Sequence, residues 1–91
     1  MLLGRVIGSV VATQKNETLV GAKLMIVSVI DHQMKPVGTE LVAVDMVSAG
    51  AGETVLLVTG SVASRLWDTS RAVDAVIVGV VDDISIEGQR S

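Results

Sequence analysis

The chain has 91 residues, enough for one small domain. Its net charge of −3 and sequence pI of about 4.8 count against nucleic acid or an anionic membrane as partner, because both call for clustered Lys and Arg. There is no cysteine, so disulfides and thiolate metal sites are excluded.

About a fifth of the residues are valine, whereas aromatics are limited to Trp67. β-Branched residues favour pleated, half-buried surfaces. The apolar fraction is 49% and the mean hydropathy is +0.62, more aliphatic surface than a domain of this size can hide in its own interior. Part of it is expected to be buried between subunits. Residues 1–5 lack the basic-then-apolar order of a signal peptide, and Gly, Asp or Ser interrupts every apolar run before it reaches membrane-helix length. The chain reads as soluble and cytosolic.

In chain order, residues 2–13 alternate with a period of two. Leu2, Gly4, Val6, Gly8, Val10 and Ala12 fall on one face, and Leu3, Arg5, Ile7, Ser9 and Val11 on the other. Both faces carry aliphatics, so both are expected to be covered. The glycines point to bends, bulges or close backbone approach. Residues 14–21 read as a loop and 23–30 as a second strand. Residues 31–38 contain the only proline with a glycine two positions on, and read as a hairpin connection. Strands follow over 41–45 and 55–59. Residues 61–67 lose the strand alternation and predict a short helix capped by Ser61. After a polar loop over 68–71, residues 75–82 form a fifth strand, with a further short strand over 84–87. Five strands and one brief helix in a single domain, residues 1–91, predict an all-β fold built as a small closed or partly open barrel.

Catalytic motifs are weak throughout. Gly50-Ala51-Gly52 leads into a strand and is followed by Glu53, whereas a phosphate cradle needs a helix N-terminus. His32 is the only histidine, sits in the expected hairpin turn, and lacks the partners that a metal or a general base requires. Asp82 and Asp83 point to opposite faces of a strand and make a poor acid/base pair. Ser61 and Ser64 have no base to activate them. A lone Trp67 reads as a packing or interface anchor. Glu53 reads as a carboxylate holding its own loop or a neighbouring subunit by a charge-assisted hydrogen bond. The residues predict no enzyme, no cofactor and no metal.

Five segments taken in order resemble one family, the vertex proteins of bacterial microcompartment shells (the EutN/CcmL family). The first is Gly4-Arg5-Val6-Ile7-Gly8-Ser9-Val10-Val11-Ala12-Thr13-Gln14-Lys15, and the second is Leu19-Val20-Gly21-Ala22-Lys23-Leu24-Met25-Ile26-Val27. The third, Val42-Ala43-Val44-Asp45-Met46-Val47-Ser48-Ala49-Gly50-Ala51-Gly52-Glu53, carries a serine at 48 where the family pattern has glycine. Gly60-Ser61-Val62-Ala63-Ser64-Arg65 is an altered form of Gly-Ser-Ser-Ala-Arg. Val73-Asp74-Ala75-Val76-Ile77-Val78-Gly79-Val80-Val81-Asp82 completes the set.

The resemblance implies an OB-like five-stranded barrel that assembles into a ring, usually a homopentamer with a hexamer as the alternative. Such rings close the vertices of a shell of hexameric tiles in the bacterial cytoplasm. Asp45, Ser48, Gly50, Gly52, Glu53, Ser61 and Arg65 are the candidates for subunit contact or loop geometry. The alternative reading is an OB-type module for single-stranded nucleic acid. That class stacks bases on aromatics in a basic groove, and one Trp with an acidic balance fits it poorly. A small barrel that chaperones or caps an enzyme would bury similar surfaces.

Overall fold

The computed structural model describes residues 1–13, 17–19, 21–67 and 73–88; of these, the side chains of Thr18, Ser64 and Trp67 are outside the description. Five strands, β1 (Leu2–Val10), β2 (Leu24–Ile30), β3 (Pro36–Asp45), β4 (Thr54–Thr59) and β5 (Ala75–Val80), form a closed barrel in the order β1-β2-β3-β5-β4. A single 3₁₀ turn, Glu17–Leu19, precedes β2, and the helix α1 (Ser61–Trp67) joins β4 to β5. All pairings are antiparallel except β3–β5, which is parallel and spans only Val44↔Val76 and Asp45↔Ile77. This is the five-stranded barrel with one short helix that the alternation predicts.

Two apolar clusters result from the period of two. Inside the barrel lie Val6, Met25, Val27, Ala43, Ala49, Val55, Leu57, Ala75 and Ile77. Burying a side chain such as Leu57 or Ile77 contributes about 1.5–3 kcal/mol, so these residues carry most of the fold's stability. A second cluster, Val44, Ala63, Val73 and Val76, lies on the other face of the strands, where Ala63 of α1 and the segment bearing Leu19 and Ala22 cover β3 and β5. Gly4 shows why β1 tolerates glycine in its middle. A Cβ there would overlap Val27 Cγ1 and stand 3.0 Å from Leu57 Cδ1 and 3.3 Å from the Ser28 carbonyl. Its absence lets two core side chains meet over the backbone.

Several boundaries differ from expectation. β1 ends at Val10, not Thr13, and Ile7 is the unpaired residue where the register with β2 shifts between Val6 and Gly8. Ile7 is 50% exposed, and the shift sets Gly8 opposite Ile26, on the outer face with Leu3 and Arg5 and not on the core face with Gly4 and Val6 as the alternation predicted. β3 starts at Pro36, so the connection is residues 31–35 and not 31–38. Proline is tolerated there because a first strand residue can do without its ladder donor. Lys35 occupies the other side of the turn: Asp31 donates its N–H to the Lys35 carbonyl at 2.9 Å, and Met34 takes the left-handed conformation with φ +67. A turn closed by one left-handed residue is a common three-residue hairpin geometry. His32 is exposed within it, as a solvated turn residue.

β5 stops at Val80, so Asp82 and Asp83 lie beyond the strand they were expected to end. The expected strand over 84–87 is reduced to a single bridge residue, Ile86. The helix is where it was expected, but Ser61 is its first residue, and Gly60 takes the capping position with its carbonyl accepting the Ala63 N–H at 3.1 Å. The loop expected over 68–71, the part of the first family segment at 14–15, and the roles expected of the Ser64 and Trp67 side chains lie outside the described residues.

Candidate functional site

The loop between β3 and β4 gathers five of the seven candidate residues, and each is held by an identifiable bond or backbone requirement. Asp45 ends β3 with its side chain fully buried. Its Oδ1 accepts the Val47 N–H at 2.9 Å and its Oδ2 the Ala49 N–H at 2.8 Å. A carboxylate that accepts two backbone N–H groups forces the chain to turn over it. Ser48, between those two donors, is driven into the left-handed region with φ +60. Glycine would adopt that conformation freely and serine does so at a cost.

Ala49 then drops into the barrel core with no exposed surface. The loop is therefore pinned from below by an apolar methyl as well as from the side by Asp45. Gly50 and Glu53 close the remaining turn on each other: the Gly50 N–H donates to Glu53 Oε1 at 2.5 Å, and the Glu53 N–H donates to the Gly50 carbonyl at 3.1 Å. The Glu53 carboxylate is thus engaged by a donor of its own loop. Of the two glycines, Gly52 alone has positive φ, +86. A Cβ on Gly52 would meet nothing within 4 Å, so its requirement is conformational; on Gly50 it would come 3.3 Å from Glu53 Oε1. The Gly52 N–H donates to the Val6 carbonyl at 2.8 Å and the Val6 N–H to the Glu53 carbonyl at 3.0 Å, which continues the β1–β4 ladder into the loop.

Three participants were not among the sequence candidates. Lys23 reaches over from the start of β2, with Nζ 3.6 Å from Asp45 Oδ2 and 3.4 Å from the Ala49 carbonyl. Val6 supplies backbone only, and Ala49 supplies the core methyl. The pairing of Lys23 with Asp45 had a signal, since both stand at strand ends that a two-stranded hairpin brings side by side: Leu24 pairs with Val44, and the Asp45 N–H donates to the Lys23 carbonyl at 2.8 Å. Val6 carried none, because a backbone role leaves no mark on residue type.

Ser61 and Arg65 stand apart from the loop in sequence, on α1, which packs on β4 and β5. Arg65 is exposed. Chemically the loop is a scaffold. Its two carboxylates are engaged by backbone donors, and among the described residues no group of three or more His, Asp or Glu is placed to hold a metal ion. No helix among the described residues is long and apolar enough to cross a membrane.

Comparison with known proteins gives this scaffold its context. Residues 1–82 match the family described as ethanolamine utilisation protein EutN/carboxysome. The chain is 45% identical to the bacterial microcompartment shell vertex protein GrpN of Rhodospirillum rubrum, over 92% of this chain and 96% of that protein. It is 43% identical to the vertex protein PduN of Salmonella typhimurium, over 93% and 99% of the two chains. The solved structure titled as the pentameric microcompartment shell protein GrpN superposes with a TM-score of 0.87, covering 94% of this chain and all of that one. The structure of Gloeobacter violaceus CcmL superposes at 0.89, with 40% identity over 96% of this chain and 91% of that one.

Proposed function

The chain belongs to the EutN/CcmL family of microcompartment shell vertex proteins, and from that membership we propose that it is a structural subunit which forms a homopentameric ring and closes the vertices of a protein shell. The observation that carries the reading is the near full-length superposition on a relative described as pentameric, at 44% identity. The role is structural and not enzymatic. Flat tiles close into a polyhedron only where a fivefold piece replaces a sixfold one, and a ring of this chain supplies that piece.

The surface of the single chain supports assembly. Its accessible area is 5930 Å², against about 5,000 Å² for a compact monomer of this mass. Ile7, Val11, Val37, Val42, Met46, Val47, Val62 and Leu66 are all exposed. A small barrel with that much uncovered aliphatic surface gains by burying it against copies of itself. The partners of the ring are hexameric shell proteins, and its place is the shell of a microcompartment in the bacterial cytoplasm.

Native mass spectrometry of the pure protein tests the ring. The expected species is five copies of the 9.4 kDa chain. A monomer at micromolar concentration would overturn the reading, and six copies would keep the ring while removing the vertex role. Co-expression with hexameric shell proteins tests the partner: closed shells are expected with this chain, open sheets or tubes without it.

A further inference from the structure

We infer that neighbouring subunits meet through two unlike aliphatic rows on the outside of the barrel, Leu3–Leu56–Gly79 of one copy against Gly8–Ile26–Val42 of the next. The inference rests on the ring proposed above and specifies the surface that makes it.

The strand register defines both rows. Gly8 pairs with Ile26, and Ile26 with Val42, across β1, β2 and β3. Leu3 pairs with Leu56, and Leu56 with Gly79, across β1, β4 and β5. None of these six residues belongs to either buried cluster or packs against one. All are partly or largely exposed, Val42 at 47%. Each row contains one glycine beside a long side chain: a Cβ on Gly8 would lie 3.7 Å from Ile26 Cδ1, and one on Gly79 would lie 3.5 Å from Leu56 Cδ1. Each row is therefore a low strip, in which one aliphatic chain lies next to a position that has no side chain of its own.

A cyclic ring of five needs a head-to-tail contact between two different patches of the same subunit. The rows meet that requirement, because β1 stands between β2 and β4 and the two strips face different sides of the barrel. Charge selects the pairing. Arg5 lies two residues from Leu3 along β1, and Glu40 two residues from Val42 along β3, each on the same face as its row; within one subunit the two stand on either side of Ser28, in the cross-strand row Arg5–Ser28–Glu40, without forming an ion pair. Two residues along a strand is about 6.6 Å in both cases. Among the described residues neither Arg5 nor Glu40 takes part in an ion pair; the one such pair is Lys23–Asp45. The first row thus carries an unpaired cation at one end and the second an unpaired anion at the same offset. Docking one strip on the other brings them together at the rim, where such charges set register and partner choice.

Charge reversal tests the seam. Arg5→Glu and Glu40→Arg, each on an exposed or half-exposed position, are expected to fold by circular dichroism and to raise the concentration for half-assembly by about tenfold or more. The double reversal is expected to restore it. A mixture of the two single variants is expected to co-assemble at concentrations where neither assembles alone, which a contact within one subunit would not produce. Because the chain has no cysteine, Ile26→Cys combined with Leu56→Cys gives a second readout. Mild oxidation is expected to yield a covalent ladder ending at the ring, and either single cysteine none. A ring of wild-type mass that ignores both reversals and gives no ladder would overturn the seam and leave the ring intact. A wild-type protein that stays monomeric would overturn the ring itself, and with it the seam.

Discussion

The carboxylate of Asp45 accepts the backbone N–H of Ala49 at 2.8 Å, and through that bond the end of β3 holds the residue that plugs the barrel core. Asp45→Ala leaves the buried Ala49 N–H and the half-buried Val47 N–H without acceptors. The expected loss is about 3 kcal/mol, and Asp45→Asn, which keeps one acceptor oxygen, should lose about half of that. Urea denaturation of both variants measures it. Equal stability of the alanine variant and the wild type would show that solvent replaces the bonds without cost.

Ser48 occupies a position with φ +60, where the family pattern has glycine. A left-handed serine costs roughly 1–2 kcal/mol, and glycine returns part of that through the freedom it adds to the unfolded chain. Ser48→Gly is expected to stabilise the protein by about 0.5–1 kcal/mol, read as a rise in melting temperature. A fall would mean that the hydroxyl makes a contact in the assembly that outweighs the backbone strain.

Most of the barrel was legible in the sequence because a strand with one covered face repeats every two residues. Val6, Met25, Val27, Val55, Leu57, Ala75 and Ile77 all keep to that rule. Legibility failed where another force decides. Pro36 reads as a turn residue, yet the hairpin geometry is set by Met34 in a left-handed conformation, which the identity of a methionine does not reveal. The alternation over residues 11–13 continues past the point where β2 stops offering partners, since the last pair is Val10 with Leu24. Within the candidate site, Asp45 and Glu53 were recognisable as carboxylates flanking small residues. Lys23 carried a signal only through the β2–β3 hairpin, which sets it beside Asp45 across 22 positions, and nothing in its own residue type marks the contact.

Gly52 and Glu53 separate two kinds of loop dependence. Gly52→Val places a β-branched residue at φ +86 and should cost about 2–3 kcal/mol whatever the oligomeric state. Glu53→Gln leaves the backbone unstrained and weakens the bond to the Gly50 N–H, with an expected loss of about 1 kcal/mol. Circular dichroism and light scattering on both variants distinguish fold from ring. If the ring needs this loop's shape, light scattering on Glu53→Gln falls to smaller species before the circular dichroism changes. Unchanged mass and melting temperature in both would make the loop a tolerant connection.

Asp31 accepts the N–H groups of Gln33 at 2.8 Å and Lys35 at 3.1 Å. The Lys35 N–H chiefly, with Gln33 and the nearby positive groups, holds the carboxyl below its ordinary value of 3.8. A carboxyl whose pKa is lower folded than unfolded stabilises the fold above the unfolded value, and loses that contribution as pH falls through the folded one. The advantage of the wild type over Asp31→Asn should be fully present above about pH 5 and shrink below pH 3.8. Paired melting curves from neutral to acid pH check it. A difference that does not change with pH would assign the turn's stability to its backbone bonds alone.

Gly4 is the position where the barrel has no room to spare. A Cβ there would overlap Val27 Cγ1, and Val27 and Leu57 are both without exposed surface. The Ser28 carbonyl, 3.3 Å from that Cβ, belongs to the β1–β2 ladder and cannot retreat without breaking a strand pair. Overpacking of a closed core costs about 1–3 kcal/mol for small insertions, so Gly4→Ala should lie at the upper end of that range and Gly4→Val beyond it. Shortening the obstructing side chain supplies the control: Gly4→Ala combined with Val27→Ala removes the overlap and should recover part of the loss, although Val27→Ala alone destabilises by opening a cavity. The measurement is a double-mutant cycle by urea denaturation. A coupling energy near zero would mean that β1 shifts away from β2 to admit the methyl, and that the closure of the barrel does not depend on the missing side chain.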